Sequence, residues 1–392
     1  MTVTADVVVV GVGAMGAAAL YQLARRGVSC VGIDRFAPPH SLGSSHGETR
    51  ITRQAVGEGA AYAPLVLRSH AIWRELEAAT GARLLEACGL VICGPLHRPT
   101  THHGKPDFLP TTTAVARAFD IPHEVLARDD LPRRFPHFIN LAPDDVGYYE
   151  PGAGFLYPEA CIEAQLVEAK RTGARMMLDT RVTAIRQCND RVRLETTAGP
   201  VDAAYAIVTA GAWTAPLLGA PFDRLLHVTR QVLHWFAPDD PAAFGPARCP
   251  VFFRMHGPAD GDYFYGFPTP RGGVGVKVAT EQYAVETDAD AADRTVSPAE
   301  AAQMHATHIA GRLAGVTARW LRSAACLYTS TPDSGFLIDA HPAMPRVLVV
   351  SACSGHGFKH SAAIGEAAAQ QVTQGCGTID LSAFRLGRFG VG

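Results

Sequence analysis

Near its start the chain sets apolar residues side by side instead of alternating them with polar ones: Asp6 is followed by Val7, Val8, Val9 and Val10. Such a continuous run suits a strand buried on both faces. A glycine turn and an alanine-rich stretch follow, predicting a helix that ends at Gly27, and Val28 to Ile33 supplies a second strand. Together they make a βαβ unit. From 35 to 60 the periodicity lapses into a loop rich in Gly, Ser, His and Arg. It returns as an amphipathic helix around Ala63 to Glu77, with Leu65, Leu67, Ile72, Trp73 and Leu76 at its apolar positions.

Further along, residues 173–218 read as short strands feeding a strand, turn and helix at "IVTAGAWTAPLL". "GDYFYGFPTPRGGVGVKVAT", 261–280, predicts a hairpin that turns at Gly272 and Gly273, just after Arg271. Near the end, "RVLVVSACSGHGFKHSAAIGEAAAQQVT" is again strand, glycine loop and helix. The stretch 96–112 is rich in Pro, His and Thr and reads as a surface excursion, with His102 and His103 in a solvated loop. No internal repeat is evident.

Length and composition narrow the partners. The 392 residues exceed the roughly 250 to 300 at which a single core stops growing, so two intimately packed domains are expected. With 35 basic against 37 acidic residues and no block of like charge, neither nucleic acid nor an anionic membrane is the expected partner. No apolar run reaches the ~18 residues of a membrane span, and the N-terminus shows no basic leader, so a cytoplasmic protein is expected. The nine cysteines form no C-x-x-C pair and are odd in number, which fits free thiols in a reducing compartment.

Gly11-Val12-Gly13-Ala14-Met15-Gly16 matches G-x-G-x-x-G between a strand and a helix. The first glycine permits the turn, the second lets backbone approach a pyrophosphate, and the third allows close helix packing. The helix N-terminus attracts the negative charge. Asp34, ending the next strand, stands where a carboxylate would accept from a ribose hydroxyl. A nicotinamide domain should continue promptly with helix and strand. Here a long polar loop follows, and strand-loop-helix units recur near 207 and 347, which favours FAD over NAD.

These motifs, with "GSSHGETRITRQAVGEG", "EPGAGFLYPEACI", "TAGAWTAPLL", "YFYGFP", "CLYTSTPDSGFLID" and "SGHGFKHSAAIGE", resemble the monomeric sarcosine oxidase and N-methyltryptophan oxidase family of FAD-dependent amine oxidases. The motifs span nearly the whole chain in order. The resemblance implies that Cys326 carries a covalent thioether to the flavin, with Cys353 a weaker rival and a buried structural thiol the plain alternative. It implies that Arg53 and Lys359 bind the substrate carboxylate, that Lys277 activates oxygen, and that His46 and Arg50 lie by the flavin ring, where a cation would stabilise its reduced form. Tyr265 and Tyr328 would line the substrate pocket. Cofactor contacts would come from Gly11, Gly13, Met15, Gly16, Asp34, Arg35 and Ser45 at one end of the chain and Gly355, Gly357 and Lys359 at the other.

There is one departure. The sarcosine-oxidising members carry a histidine four residues after the oxygen-activating lysine, and here that position is Glu281. Either Glu281 meets a larger or more basic amine, or it points away from the pocket. His356 and His360 are spaced i, i+4, but no third ligand accompanies them and the surrounding glycines indicate a loop, so no metal is expected.

The expected architecture is α/β. A discontinuous Rossmann-like FAD-binding domain would take residues 1–85, 150–225 and 325–392, and a mixed-sheet substrate domain 86–149 and 226–324. The expected reaction oxidises a secondary amino acid, N-methyl or cyclic, with O2, giving an imine and hydrogen peroxide, in a monomer acting on a small molecule. The alternatives are an FAD amine dehydrogenase of the same fold with another acceptor, and an NAD-dependent dehydrogenase.

Overall fold

A computed structural model describes residues 2–96, 101–102, 105–259 and 261–390. The valine run forms the strand Val3–Val10, in which Val7 to Val10 are all buried, as a strand covered on both faces requires. After the glycine turn comes the helix Ala14–Ala24, and Cys30–Ile33 returns parallel to the first strand with Val9 beside Gly32. The parallel order is Arg175–Met177, Cys30–Ile33, Val3–Val10, Val201–Val208 and Met344–Ser351. Antiparallel strands Val182–Cys188, Arg191–Thr196 and Leu337–His341 complete this eight-stranded sheet among the described residues. Val10 pairs with Val208 and Val208 with Val349, so three strands end together and release their loops from one edge. In open α/β sheets that edge is where ligands bind.

Helices Ala14–Ala24, Pro158–Arg171 and Ser361–Gln374 cover one face, burying Leu20, Leu23, Ile162 and Ile364 with Ile207 and Val350 of the sheet. Small residues set how closely they approach. A Cβ on Gly365 would lie 2.3 Å from Ala18 Cβ and 2.5 Å from the Ala18 carbonyl carbon. The expected amphipathic helix is Ala63–Thr80, closed by Gly81 in the left-handed conformation.

The second eight-stranded sheet runs Val316–Ser330, His227–Pro238, Val276–Ala279, Tyr263–Phe267, Val251–Met255, Leu90–Pro95, Asp145–Glu150 and Glu124–Leu126. It is mixed: Leu90–Pro95 and Val251–Met255 are parallel, and the other pairs antiparallel. The expected hairpin is present, with Phe267 opposite Lys277 and Gly272 in the left-handed region. A small antiparallel sheet of Arg50–Thr52, Gly154–Leu156 and Leu85–Glu86 pins the polar loop after Asp34.

The reading of 96–112 as a surface excursion is corrected for its described part, residues 97–100 and 103–104 lying outside the described residues. Thr101–His102 pairs with Lys105–Pro106, and a helix starts at Phe108, with Phe108 and Leu109 fully buried. His102 is only 3% exposed, because the rings of Phe108, Phe253 and Tyr263 enclose it at 4.6–4.9 Å. An imidazole presents an apolar face to such rings, which a composition-based reading of a polar loop ignores. His103 lies outside the described residues. Among the described residues, no helix is long and apolar enough to cross a membrane.

Because the contact at Gly365 is with the backbone and Cβ of Ala18, Gly365→Ala is expected to force the two helices apart. It should lower unfolding stability by about 1–3 kcal/mol, read as a shifted midpoint in urea denaturation.

Candidate active site

The loops at the shared strand edge enclose a cavity of about 280 Å³. Gly11, Gly13 and Met15 line it at one end with Asp34 and Arg35, and Ser45, Arg50, Gly355 and Gly357 line it elsewhere. Gly11 has φ +83°, and a Cβ there would meet the Thr209 carbonyl oxygen at 2.7 Å. Gly16 does not line the cavity. Its missing side chain lets the helix sit on the turn, since a Cβ would be 1.8 Å from the Gly11 oxygen. The Asp34 carboxylate accepts from the Val12 and Phe36 N–H groups at 2.7 and 2.9 Å, so it organises the turn as well as facing the cavity. A long cradle, stripped of Cβ atoms at Gly11 and Gly13 and closed by a helix N-terminus and an acid, fits a dinucleotide flavin.

A second cavity adjoins the first, sharing Arg50, Tyr328, Gly355 and Phe358 as walls. It also brings together Arg53, Tyr265, Lys277, Glu281 and Lys359, all expected from sequence. Lys359 lines only this second cavity, not the longer one. Arg53 and Lys359 meet on Glu58: Arg53 Nη2 donates to both carboxylate oxygens at 3.0 and 3.2 Å, and Lys359 Nζ approaches Oε1 at 3.5 Å. All three side chains are almost completely buried. Burial pushes the Lys359 pKa down to about 8, against the pull of Glu58.

Glu281 lines the second cavity, so the reading in which it points away from the pocket is corrected. Tyr263, Tyr283 and Tyr328 donate their hydroxyls to it at 2.6, 3.1 and 3.1 Å. The hydroxyls of Tyr265 and Tyr328 lie 3.5 Å apart.

Lys277 is 2% exposed on its strand, and its ammonium reaches across to the polar loop. It donates to the carbonyls of Gly47 and Thr49 at 2.9 and 2.6 Å and lies 3.9 Å from the Phe267 ring centre. Burial, and then Arg50, push its pKa well down. The same loop is held from its other side by Glu159, whose carboxylate accepts from the Gly47 and Glu48 N–H groups at 2.7 and 3.2 Å. Arg50 donates to the carbonyls of Ser44 and Thr49. His46 is buried, and burial with nearby Arg50 drives its pKa to about 3. It is therefore neutral at ordinary pH and lines neither cavity, so the positive charge expected from this pair rests on Arg50.

Cys326 is 1% exposed in its strand, opposite Gln231, and lines neither cavity, whereas Cys353 lines the longer one. Burial raises the Cys326 thiol pKa, while Arg50 and Lys277 draw it back. Among the described residues, no cluster of His, Cys, Asp and Glu is arranged to hold a metal ion.

Two polar residues in the wall of the second cavity, His102 and Glu58, were not among the expected site residues. His102 was hidden by its polar context. Glu58 lies in a quoted motif between Gly57 and Gly59, and its spacing from Arg53 alone does not reveal a buried pair.

A glycine-turn cradle adjoining a buried, cation-lined pocket defines a flavin-dependent oxidoreductase. The profile described as "FAD dependent oxidoreductase" matches residues 6–371, and the chain belongs to that family. It is 36% identical to monomeric sarcosine oxidase of Streptomyces avermitilis, over 96% of this chain and 95% of that protein. It is 34% identical to N-methyl-L-tryptophan oxidase of Yersinia pestis, over 98% and 99% respectively. Among solved structures, the open form of NikD, an unusual amino acid oxidase essential for nikkomycin biosynthesis, shares the fold with a TM-score of 0.84 at 23% identity, covering 98% of each chain.

Removing the acid shared by Arg53 and Lys359 leaves two buried cations without it. Glu58→Gln is expected to cost about 3–5 kcal/mol of unfolding stability, measured by chemical denaturation.

Proposed function

We propose that this FAD-dependent amine oxidase acts on secondary amino acids, N-methylated or cyclic, with O2 as acceptor, yielding an imine and hydrogen peroxide. The observation that carries this reading is the junction of the two cavities at Arg50, Tyr328 and Gly355, with the buried Arg53 and Lys359 in the smaller one. FAD, when bound, takes a hydride equivalent from the C–H beside the amine nitrogen and passes the electrons to the acceptor. The protein's part is to bind, orient and keep the site dry.

Arg53 and Lys359 supply the donors for a substrate carboxylate, and Glu58 holds their charged ends together before substrate arrives. Tyr265 and Tyr328 form an aromatic wall of the substrate pocket. Lys277, anchored through two of its three ammonium protons, offers the third to a developing anion at the junction. Cys326 is the proposed covalent anchor for the cofactor. In keeping with its free thiols, the protein acts as a monomer in the reducing cytoplasm.

Oxygen consumption and peroxide release with N-methyl and cyclic amino acids test the reading. Lys277→Met is expected to slow oxygen consumption by about 10²–10³-fold while an artificial electron acceptor still supports turnover. Unchanged oxygen consumption in that variant would instead favour a dehydrogenase. Acid precipitation tests the anchor: yellow colour should stay in the pellet of wild type and of Cys353→Ser and move to the supernatant in Cys326→Ser. Colour in the supernatant of all three would remove Cys326 from the cofactor site.

A further inference from the structure

Glu281 sits where three elements converge. It follows the strand Val276–Ala279, and the hydroxyls that donate to it come from Tyr263 on the neighbouring strand, Tyr328 on Val316–Ser330 and Tyr283 two residues on. Gly355, which walls both cavities, leaves room for this cluster. A Cβ there would lie 2.5 Å from the Tyr283 hydroxyl and 3.1 Å from Glu281 Oε1. The carboxylate therefore borders the space where substrate is held.

Its chemistry follows from its donors. Three phenolic O–H groups aim their protons at the carboxylate. The phenols themselves stay protonated, since burial and then the Glu281 charge raise the pKa of Tyr263 and Tyr283, and burial, Tyr265 and Glu281 raise that of Tyr328. A fixed anion beside aromatic faces suits a cation. That cation is not the reacting amine. The nitrogen must shed its proton before the adjacent C–H can be oxidised, and a fixed anion against it would hold the proton in place. Arg53 and Lys359 occupy the pocket as cationic partners for a carboxylate, so the two kinds of wall match a substrate with an acidic end and a separate basic end.

Resting on the amine oxidation proposed above, we infer that Glu281 and its tyrosine collar form a subsite for a second, non-reacting cationic group, so that the preferred substrates are secondary amino acids whose side chain ends in an ammonium or guanidinium.

The test compares wild type with Glu281→Gln, nearly identical in shape, using flavin-loaded protein. Nα-methyl-lysine is set against its neutral counterpart Nα-methyl-norleucine in anaerobic flavin reduction, and 6-aminohexanoate against hexanoate in calorimetric binding, which needs no turnover. Wild type should favour the cationic member of each pair by roughly tenfold to a hundredfold, and Glu281→Gln should bring both ratios close to one. Equal treatment of charged and neutral partners by wild type overturns the subsite, as does a preference that survives in Glu281→Gln. A variant that only melts earlier, with its ratios intact, assigns Glu281 to holding the tyrosines and likewise overturns it. If neither amine reduces the flavin, the oxidase reading fails, and the 6-aminohexanoate comparison still decides whether Glu281 binds a cation.

Discussion

A lysine ammonium taken out of water must have its protons received by fixed partners, or its burial destabilises the fold. In this protein Lys277 meets that condition by reaching from the mixed sheet to the carbonyls of Gly47 and Thr49 in the loop that follows the glycine cradle. One side chain thus ties the sheet that walls the smaller cavity to the loop that walls the longer one. The positions of Arg50 and Arg53 follow from where that loop is held. The bond is also why the two cavities meet at a defined junction.

The loop could not be so placed by Lys277 alone. Glu159, at the start of the helix Pro158–Arg171, takes the N–H groups of Gly47 and Glu48. Glu150 takes those of Gln54 and Ala55 at 2.6 and 3.1 Å, and the Tyr148 hydroxyl at 3.0 Å. Both acids belong to one stretch, "EPGAGFLYPE", whose own strand Gly154–Leu156 pairs with Arg50–Thr52. A segment a hundred residues downstream therefore acts as the mould for the cation-bearing loop. Backbone donors held by these carboxylates, Glu150 buried and Glu159 partly so, keep the guanidinium groups in register with the pocket, which is the kind of preorganisation amine oxidation asks of the protein.

The parallel sheet was legible because its signals are local. Four adjacent valines, a glycine turn and an alanine-rich helix each act over a few residues, and their periods differ enough to be told apart. The hairpin before Lys277 was readable for the same reason. What could not be read were features created by distant segments meeting. Glu58 looks like one more loop acid until Lys359, three hundred residues on, is brought to it. His102 looks solvated until the rings of Phe253 and Tyr263 close over it. The neutrality of His46 has the same origin, since burial and neighbouring cations determine its proton and the sequence neighbourhood does not. Resemblance carried most of the pocket residues to their positions, but neither cavity is lined by Cys326 or His46.

The central claim is that buried cations hold the carboxylate of a secondary amine against the cofactor cavity. Anaerobic mixing of the flavin-loaded protein with N-methyl amino acids, and with the same amines lacking the carboxylate, tests it most directly. Bleaching of the yellow colour by the amino acids, with the decarboxylated amines at least tenfold weaker, is the predicted result. Equal bleaching by both series, or by neither, would contradict it.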